Sequence, residues 1–176
     1  MTIVRPARPD DAAALAAIYA PYVTDGVVSF ELEPPDAAEM ARRMAAGGDR
    51  HPWLVAEADG AVCGYAYASP FRTRAAYAWA VETTVYVAAD AQGRGIGRAL
   101  YAELLDLLAR QGFTQAVGIV ALPNEASVGL HERLGFRFVG VNERVGWKGG
   151  RWIDVGVWQR PLAEPGDPPR PPRPFR

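Results

Sequence analysis

The sequence predicts an α/β (α+β) fold in which a mixed sheet of about seven strands is flanked by about four helices. Two patterns carry this prediction: apolar residues recur at every third or fourth position in some segments and at every second position in others. The segments follow in the order strand, helix, helix, three strands, helix, strand, helix, two strands, without an internal repeat. At 176 residues the chain has the length of one domain.

Two helices are predicted early in the chain, after a short strand over residues 2–7. One face of the first helix, behind an aspartate cap, carries four apolar or aromatic side chains. They are Leu15, Ile18, Tyr19 and Tyr22. After an extended segment, Asp36 and Glu39 form a capping-box-like start for the second helix, and Gly47 and Gly48 end it.

Three strands are predicted next. Asp59 and Gly60 lie between two apolar runs and form a strong hairpin signal, so residues 51–69 are expected to form two antiparallel strands. Residues 72–80 show no clear pattern. In the third strand, Glu82 lies on the opposite face from the valines. The two faces carry Val81, Thr83, Val85 and Val87, and Glu82, Thr84 and Tyr86.

A turn containing Gly93, Gly95 and Gly97 joins this strand to a leucine-rich helix that ends near residue 112. A helix that begins after such a turn presents free backbone amides and the positive end of its dipole, which together bind phosphate. Two nucleotide motifs do not fit. The triphosphate loop requires Lys-Ser/Thr after its last glycine, and the dinucleotide fingerprint requires Gly or Ala where this chain has Arg98 or Leu100.

The remaining elements are a strand, a short helix and two strands. The apolar run 116–122 predicts the strand, Asn124 caps the helix, and Gly135 ends it. Two strands flank the turn at residues 148–151. Residues 1–162 are therefore expected to form one domain, and the Pro- and Arg-rich segment 163–176 a flexible tail.

The composition excludes several functions. The net charge of -1 gives no overall positive field, so neither nucleic acid nor an anionic membrane is predicted as a partner. Cys63 is the single cysteine, and His51 and His131 lie far apart, so no metal site is predicted. The amino-terminal segment lacks the apolar core of a signal peptide, which predicts a cytoplasmic protein.

Residues 92–97, Gln-Gly-Arg-Gly-Ile-Gly, resemble the Gln/Arg-x-x-Gly-x-Gly/Ala signature of the GNAT superfamily of N-acetyltransferases. Asn124 and the Leu-Gly-Phe at residues 134–136 resemble the second signature of that family. The resemblance implies a mostly antiparallel sheet in which a bulge splays the fourth strand from the fifth. It also implies acetyl-CoA (coenzyme A) as co-substrate, with its pyrophosphate on the loop amides and its pantetheine on the strand backbone.

The resemblance assigns three groups of residues to acetyl-CoA. They are Val85, Tyr86 and Val87 in the strand; Gln92, Gly93, Arg94, Gly95, Ile96, Gly97 and Arg98 in the loop; and Asn124. Four further segments, DGVVSFELEP, YAWAVETTVYV, LPNEASVGLHERLGF and DVGVWQ, narrow the resemblance to the phosphinothricin and methionine sulfoximine acetyltransferase branch over residues 2–160. This branch implies a homodimer that acetylates the α-amine of a small amino-acid analogue by direct attack in a ternary complex. Phosphinothricin, methionine sulfoximine and methionine sulfone are the expected acceptor types.

Two residues are predicted to transfer protons. Glu82 is the predicted base, because apolar strand neighbours can raise its pKa toward neutrality. His131 lies seven residues after Asn124, where many superfamily members have Tyr, and is predicted to protonate the leaving thiolate. The alternatives are a solvent-facing glutamate, a structural histidine and an asparagine that only caps its helix.

The acceptor site is predicted from the remaining charged and aromatic residues. Arg72 and Arg74 could grip a carboxylate or phosphinate through bidentate hydrogen bonds, or could be solvated loop residues. Further candidates for the pocket wall are Phe30, Glu31, Tyr77 and Trp79.

Two other functions fit the same sequence. The acceptor could be an aminoglycoside, a polyamine or a protein amine, although such cationic substrates favour an acidic pocket. The chain could also be a non-catalytic acyl-CoA-binding module that docks through its Pro/Arg tail. Deletion of residues 163–176 would distinguish the enzyme from the binding module, since an enzyme of the predicted kind should keep its turnover.

Overall fold

The computed structural model describes residues 2–175 and contains seven strands and four helices in that range. The strands are β1 (Thr2–Pro6), β2 (Trp53–Ala58), β3 (Ala61–Pro70), β4 (Ala80–Val87), β5 (Gln115–Leu122), β6 (Arg137–Lys148) and β7 (Arg151–Pro161). The helices are α1 (Ala12–Thr24), α2 (Ala37–Ala46), α3 (Ile96–Gln111) and α4 (Glu125–Arg133). The predicted element order and the predicted α/β fold class are confirmed.

The strands form one sheet in the order β1-β2-β3-β4-β5-β7-β6. Every neighbouring pair is antiparallel except β4 with β5, which is parallel. Parallel strands need a long crossover, and here α3 provides it. None of the helices within residues 2–175 has the length and apolar character that a bilayer crossing requires.

Local hydrogen bonds and turn geometry determine where several helices and strands begin and end. The Asp36 carboxylate accepts from the Glu39 amide at 2.8 Å and so caps α2, as predicted. Asp59 and Gly60, with φ of 52° and 80°, turn β2 into β3. The cap of α1 differs from the prediction, because Asp11 accepts from the Arg8 amide at 2.7 Å and from Arg5 instead of from an amide of α1.

Both faces of the sheet are covered. On one face, α3 packs its leucines against small and branched strand residues, including Leu100 and Leu104 against Ala66 and Val81. On the other, α1 and α2 cover an aromatic layer that includes Tyr65. Because side chains alternate along a strand, even-numbered positions of β4 face this aromatic layer. Glu82 therefore lies on the face of α1 and α2.

The sheet opens between β4 and β5. These strands pair only over three residues, from Ala80 with Gln115 to Glu82 with Val117, and then separate. The predicted splaying is therefore present. The predicted bulge is absent, because the pairing of β3 with β4 keeps one register from residue 81 to residue 87. Divergence of β5, without an extra residue in β4, opens the sheet.

The segment 163–175 contains neither helix nor strand, yet its far end contacts the domain. Trp79 donates from its indole nitrogen to the Arg170 carbonyl at 2.8 Å. The side-chain amide of Gln111 donates to the Arg173 carbonyl, and the backbone amide of Arg173 donates to the Gln111 backbone carbonyl, both at 2.8 Å. The Phe175 amide donates to the Asp49 carbonyl at 2.9 Å. The proline content of this segment predicts a flexible tail and does not predict these hydrogen bonds.

Candidate active site

The glycine loop forms the entrance to α3. Gly93 and Gly95 have φ of 74° and 80°, the left-handed region in which side chains other than glycine are strained. The first helical hydrogen bond of α3 runs from the Ala99 amide to the Gly95 carbonyl at 3.0 Å. The amides of residues 96–98 precede that bond and point toward the helix entrance. The loop therefore presents an array of donors that suits a pyrophosphate.

The side chains of the loop divide into two groups. Gln92, Arg94 and Arg98 are exposed, so both guanidinium groups can approach an anion. Ile96 is 5% exposed and packs in the core, so only its backbone amide is available to a ligand. A Cβ at Gly97 would approach Val87 at 3.5 Å, which shows how closely α3 passes over β4.

The free edge of β4 follows the glycine loop. The Ala88 amide donates to the Cys63 carbonyl, so the alternation of an antiparallel ladder turns the backbone groups of Val85 and Val87 away from β3 and into the cleft. Tyr86 has the opposite orientation: its backbone faces β3, and its ring packs against Tyr22 with a centroid distance of 4.9 Å. The structure thus brings Val85 and Val87 to the cleft but does not bring Tyr86 there.

Tyr22 occupies one end of this edge, a role that the sequence analysis did not assign. Its hydroxyl donates to the Val87 carbonyl at 2.6 Å and lies 3.4 Å from the Val87 amide. Gln92 donates to the same hydroxyl at 3.0 Å. A ligand that bonds the Val87 backbone has to share or displace the Tyr22 hydroxyl.

A buried polar wedge lies where β4 and β5 separate. The Tyr101 hydroxyl is 2.8 Å from the Thr83 carbonyl, the first carbonyl facing β5 beyond the last pair, and 3.0 Å from Nε2 of His131. The His131 ring lies against Gly118 of β5, where a Cβ would come within 2.3 Å of Nε2. Tyr101 and His131 therefore fill the space in which the strands would otherwise continue to pair.

This placement does not make His131 the accessible proton donor that the sequence analysis predicted. The residue is 4% exposed, and its Nδ1 donates to the Ser127 carbonyl at 2.8 Å. Burial lowers the pKa of His131, so the ring is neutral near pH 7 and Nε2 acts as an acceptor. The imidazole therefore holds the Tyr101 hydroxyl instead of facing the cleft.

Asn124 opens α4 as predicted. Its Oδ1 accepts from the Ser127 amide at 3.1 Å. The cap uses the oxygen, so the side-chain NH₂ group can still donate to a ligand. Capping and ligand binding are compatible roles for this residue.

Glu82 is half-buried on β4, at the last residue that pairs with β5. Burial raises the pKa of Glu82, and the positive charge of Arg72 opposes this effect. Within residues 2–175 its carboxylate has no hydrogen bond or ion pair. An unpaired carboxylate with a raised pKa is suited to act as a general base.

A cavity of about 310 Å³ lies on the same face of the sheet as Glu82. Ser69, the partner of Glu82 in the ladder of β3 with β4, is part of its wall. The wall also contains the aromatic residues Tyr19, Trp53, Tyr65 and Tyr67. The cavity is large enough for a small amino acid and opens beside the candidate base.

The predicted acceptor residues in the segment before β4 have different surroundings. Arg72 is exposed, lies over the ring of Phe71 at 4.2 Å, and is close enough to Glu82 to affect its pKa. Arg74 is also exposed, and the ring of Tyr77 is 42% exposed. Trp79 donates to the tail and does not line the cavity.

The two predicted residues in the loop between α1 and α2 also differ. Phe30 is 41% exposed, and its ring lies against Gly146 of β6. Glu31 accepts two hydrogen bonds from Arg43, at 2.6 and 2.9 Å, and one from Tyr19 at 2.9 Å. These bonds, chiefly those from Arg43, lower the pKa of Glu31 despite its partial burial. Glu31 therefore supports the wall residues Tyr19 and Arg43 instead of offering a free carboxylate.

Sequence reasoning missed several residues of the site: Tyr19, Tyr22, Arg43, Trp53, Tyr65, Tyr67, Ser69 and Tyr101. Tyr65 and Tyr67 alternate along β3, and Tyr19 and Tyr22 share one face of α1, as core residues do. Periodicity alone therefore cannot identify a cavity wall. Among residues 2–175 no cluster of three or more potential metal ligands occurs.

Comparison with known proteins gives concordant results. A sequence profile of the acetyltransferase (GNAT) domain matches residues 4–157. The phosphinothricin N-acetyltransferase of Streptomyces viridochromogenes is 45% identical over 171 residues, which cover 97% of this chain and 93% of that protein. The L-methionine sulfoximine/L-methionine sulfone acetyltransferase of Pseudomonas aeruginosa PAO1 is 36% identical, with coverage of 89% and 92%.

Solved structures agree with these sequence matches. The crystal structure of a GNAT superfamily phosphinothricin acetyltransferase from Sinorhizobium meliloti in complex with AcCoA superposes with a TM-score of 0.91 at 38% identity. The match covers 99% of this chain and 98% of that one.

Proposed function

Because this chain belongs to the GNAT family of acetyltransferases, we propose that it transfers the acetyl group of acetyl-CoA to the α-amine of a small amino-acid analogue. Phosphinothricin, methionine sulfoximine and methionine sulfone are the acceptor types proposed, in line with the names of similar proteins. The observation that carries this proposal is the position of Glu82 on β4: its ladder partner Ser69 lines the aromatic cavity, and beyond Glu82 the strand no longer pairs with β5.

The residues present fit coenzyme A. The loop at Gly93 and Gly95 and the first amides of α3 would hold the pyrophosphate, and the exposed Arg94 and Arg98 would add positive charge. The backbone of Val85 would hold the pantetheine as a neighbouring strand would. Acetyl-CoA supplies an acetyl thioester, whose C–S bond breaks as the C–N bond to the amine forms.

Glu82 would remove the proton that the amine must lose. Its raised pKa places the carboxylate nearer the pH at which a base is effective, and no ion pair from residues 2–175 holds it in another orientation. Arg72 would provide a positive charge near the entrance for the acceptor's acidic group. The aromatic wall, including Tyr65 and Tyr67, would exclude water from the reacting amine.

Direct attack in a ternary complex is the route that we propose. A route through an acetylated enzyme would need a nucleophile, and Cys63 is the one thiol in the chain. Its Sγ lies 3.3 Å from the Ala56 carbonyl, and burial raises the pKa of Cys63, which keeps the thiol protonated. For His131 we propose support of Tyr101 at the fork instead of proton donation.

The test of this function is acetyl-CoA-dependent thiol release by the purified protein. The acceptors are phosphinothricin, methionine sulfoximine, methionine sulfone, spermidine and kanamycin, with Glu82→Gln as the matched variant. Turnover confined to the amino-acid analogues, and reduced about 10²- to 10⁴-fold in the variant, is the expected result. Turnover only with spermidine or kanamycin, or binding of coenzyme A without turnover, would overturn the proposed acceptor class.

We also propose a homodimer, with the apolar surface of the edge strand β6 and the start of β7 as the contact. Its exposed members are Phe138, Val139, Val141, Val145, Trp147 and Trp152, each between 42% and 59% exposed. Large apolar side chains grouped on an exposed strand often mark a protein–protein contact. Sedimentation equilibrium of wild type and of Trp147→Glu measures the oligomeric state. A monomeric wild type would contradict the proposed dimer.

Cytoplasmic location stays a prediction.

A further inference from the structure

Lys148, near the tip of the β6–β7 hairpin, makes three hydrogen bonds to backbone carbonyls of a distant part of the chain. Its Nζ donates to the carbonyls of Val23, Ser29 and Glu31 at 2.6, 2.7 and 2.8 Å. The Val23 carbonyl belongs to the last turn of α1, where helical hydrogen bonding leaves carbonyls without partners. A cation at this position also meets the negative end of the helix dipole.

The geometry suits an ammonium group and does not suit a guanidinium group. An ammonium has three donors arranged as a tripod, whereas the donors of arginine form a planar fork. Lys148 is the single lysine among 19 Lys and Arg residues, and it is the cation on which three carbonyls converge. The choice of lysine over arginine thus has a structural reason at this position.

The segment held by Lys148 contacts two residues that line the candidate acceptor site. Ser29 accepts or donates a hydrogen bond with Tyr19 at 2.6 Å, and Tyr19 is part of the cavity wall. The Glu31 carboxylate orients Arg43, another wall residue. The hairpin adds a second contact, because a Cβ at Gly146 would come within 2.2 Å of the Phe30 ring. The hairpin and the loop therefore fit together at two points.

We propose that Lys148 is a positioning residue for acceptor recognition: its ammonium fixes residues 25–36, and through Ser29 and Glu31 it fixes the cavity wall at Tyr19 and Arg43. This inference rests on the proposed function for the identity of the acceptor. The three hydrogen bonds of Lys148 do not reach the glycine loop between β4 and α3, although Asp25, Gly26 and Val28 line a cavity together with Gln92. We therefore expect the loss of Lys148 to affect acceptor binding more than coenzyme A binding.

The test compares Lys148→Met, Lys148→Arg and the control Arg151→Met, an exposed cation on the same hairpin. For Lys148→Met we expect KM for phosphinothricin to rise about tenfold or more, because charge-assisted hydrogen bonds are lost. The dissociation constant of coenzyme A should change less than this KM, by about threefold at most. Lys148→Arg should also raise KM, since a fork cannot serve three convergent carbonyls, and Arg151→Met should match wild type.

Hydrogen exchange over residues 24–36 provides a readout that is independent of activity. The segment should exchange faster in both Lys148 variants and at the wild-type rate in Arg151→Met. Unchanged KM and unchanged exchange in Lys148→Met would overturn the proposal. A Lys148→Arg protein with the KM and the exchange rate of wild type would overturn the role of ammonium geometry. If Lys148→Met does not fold, Lys148→Arg decides by the same criteria. If wild type acetylates none of the three amino-acid analogues, the proposed function fails and exchange alone decides the loop-fixing role; if it acetylates only methionine sulfoximine or methionine sulfone, KM is measured for that acceptor.

Discussion

Replacing Gly118 with alanine tests whether the wedge at the fork holds the sheet open. In the native chain the new Cβ would lie 2.3 Å from Nε2 of His131. Ordinary contact requires about 3.4 Å, so the ring must move by about 1 Å or the backbone of β5 must shift. Either movement lengthens the 3.0 Å contact between His131 and Tyr101 and disturbs the hydrogen bond to Ser127.

The expected loss of stability follows from these contacts. Overpacking of a buried site costs about 1–3 kcal/mol, and each weakened buried hydrogen bond costs about 0.5–1.5 kcal/mol. A total of about 2–6 kcal/mol corresponds to a fall in Tm of roughly 4–24 °C for a domain of this length. The affinity for coenzyme A should fall as well. If the Tyr101 hydroxyl leaves the Thr83 carbonyl, β4 and β5 can close the cleft that the cofactor would occupy.

Thermal unfolding followed by circular dichroism and calorimetric titration with coenzyme A measure both effects. Gly140→Ala is the matched control, because a Cβ there would meet no atom within 4 Å. A Gly118→Ala protein with the Tm and the coenzyme A affinity of Gly140→Ala would refute the wedge. Tyr101→Phe separates packing from hydrogen bonding, since it keeps the ring and removes only the hydroxyl.

Four further predictions concern the base, the glycine loop and the tail. The kcat of wild type should fall as pH decreases through the raised pKa of Glu82, because only the carboxylate accepts a proton; a pH profile of Glu82→Gln that keeps this step would remove Glu82 from the mechanism. Since burial disfavours the charged form, the same variant should unfold no earlier than wild type near pH 7. Gly95→Glu should weaken coenzyme A binding through backbone strain at φ 80° and like charge, and unchanged affinity in a titration would contradict the loop assignment. Removal of residues 163–176 should keep turnover at 25 °C but lower Tm by about 2–4 °C for each kcal/mol contributed by the hydrogen bonds of the tail, and loss of turnover in the folded truncated protein would contradict this.

The elements and the glycine loop could be predicted from the sequence, because their causes are local. Gly95 needs a left-handed φ, Asn124 bonds an amide three residues away, and Asp59 with Gly60 forms its own turn. Each of these signals lies within a few residues. The alternation that placed Glu82 opposite the valines is equally local and follows from strand geometry.

The tertiary structure alone decided which side chains meet across long separations in sequence. Lys148 bonds carbonyls more than 110 residues away, and Trp79 bonds the Arg170 carbonyl 91 residues away. The role of His131 depended on whether α4 buries or exposes it, and the ring proved to be buried against β5. Such contacts are made by single side chains with partners from other elements, so they leave no periodic pattern in the sequence. Only packing of the whole chain brings their atoms within hydrogen-bond distance.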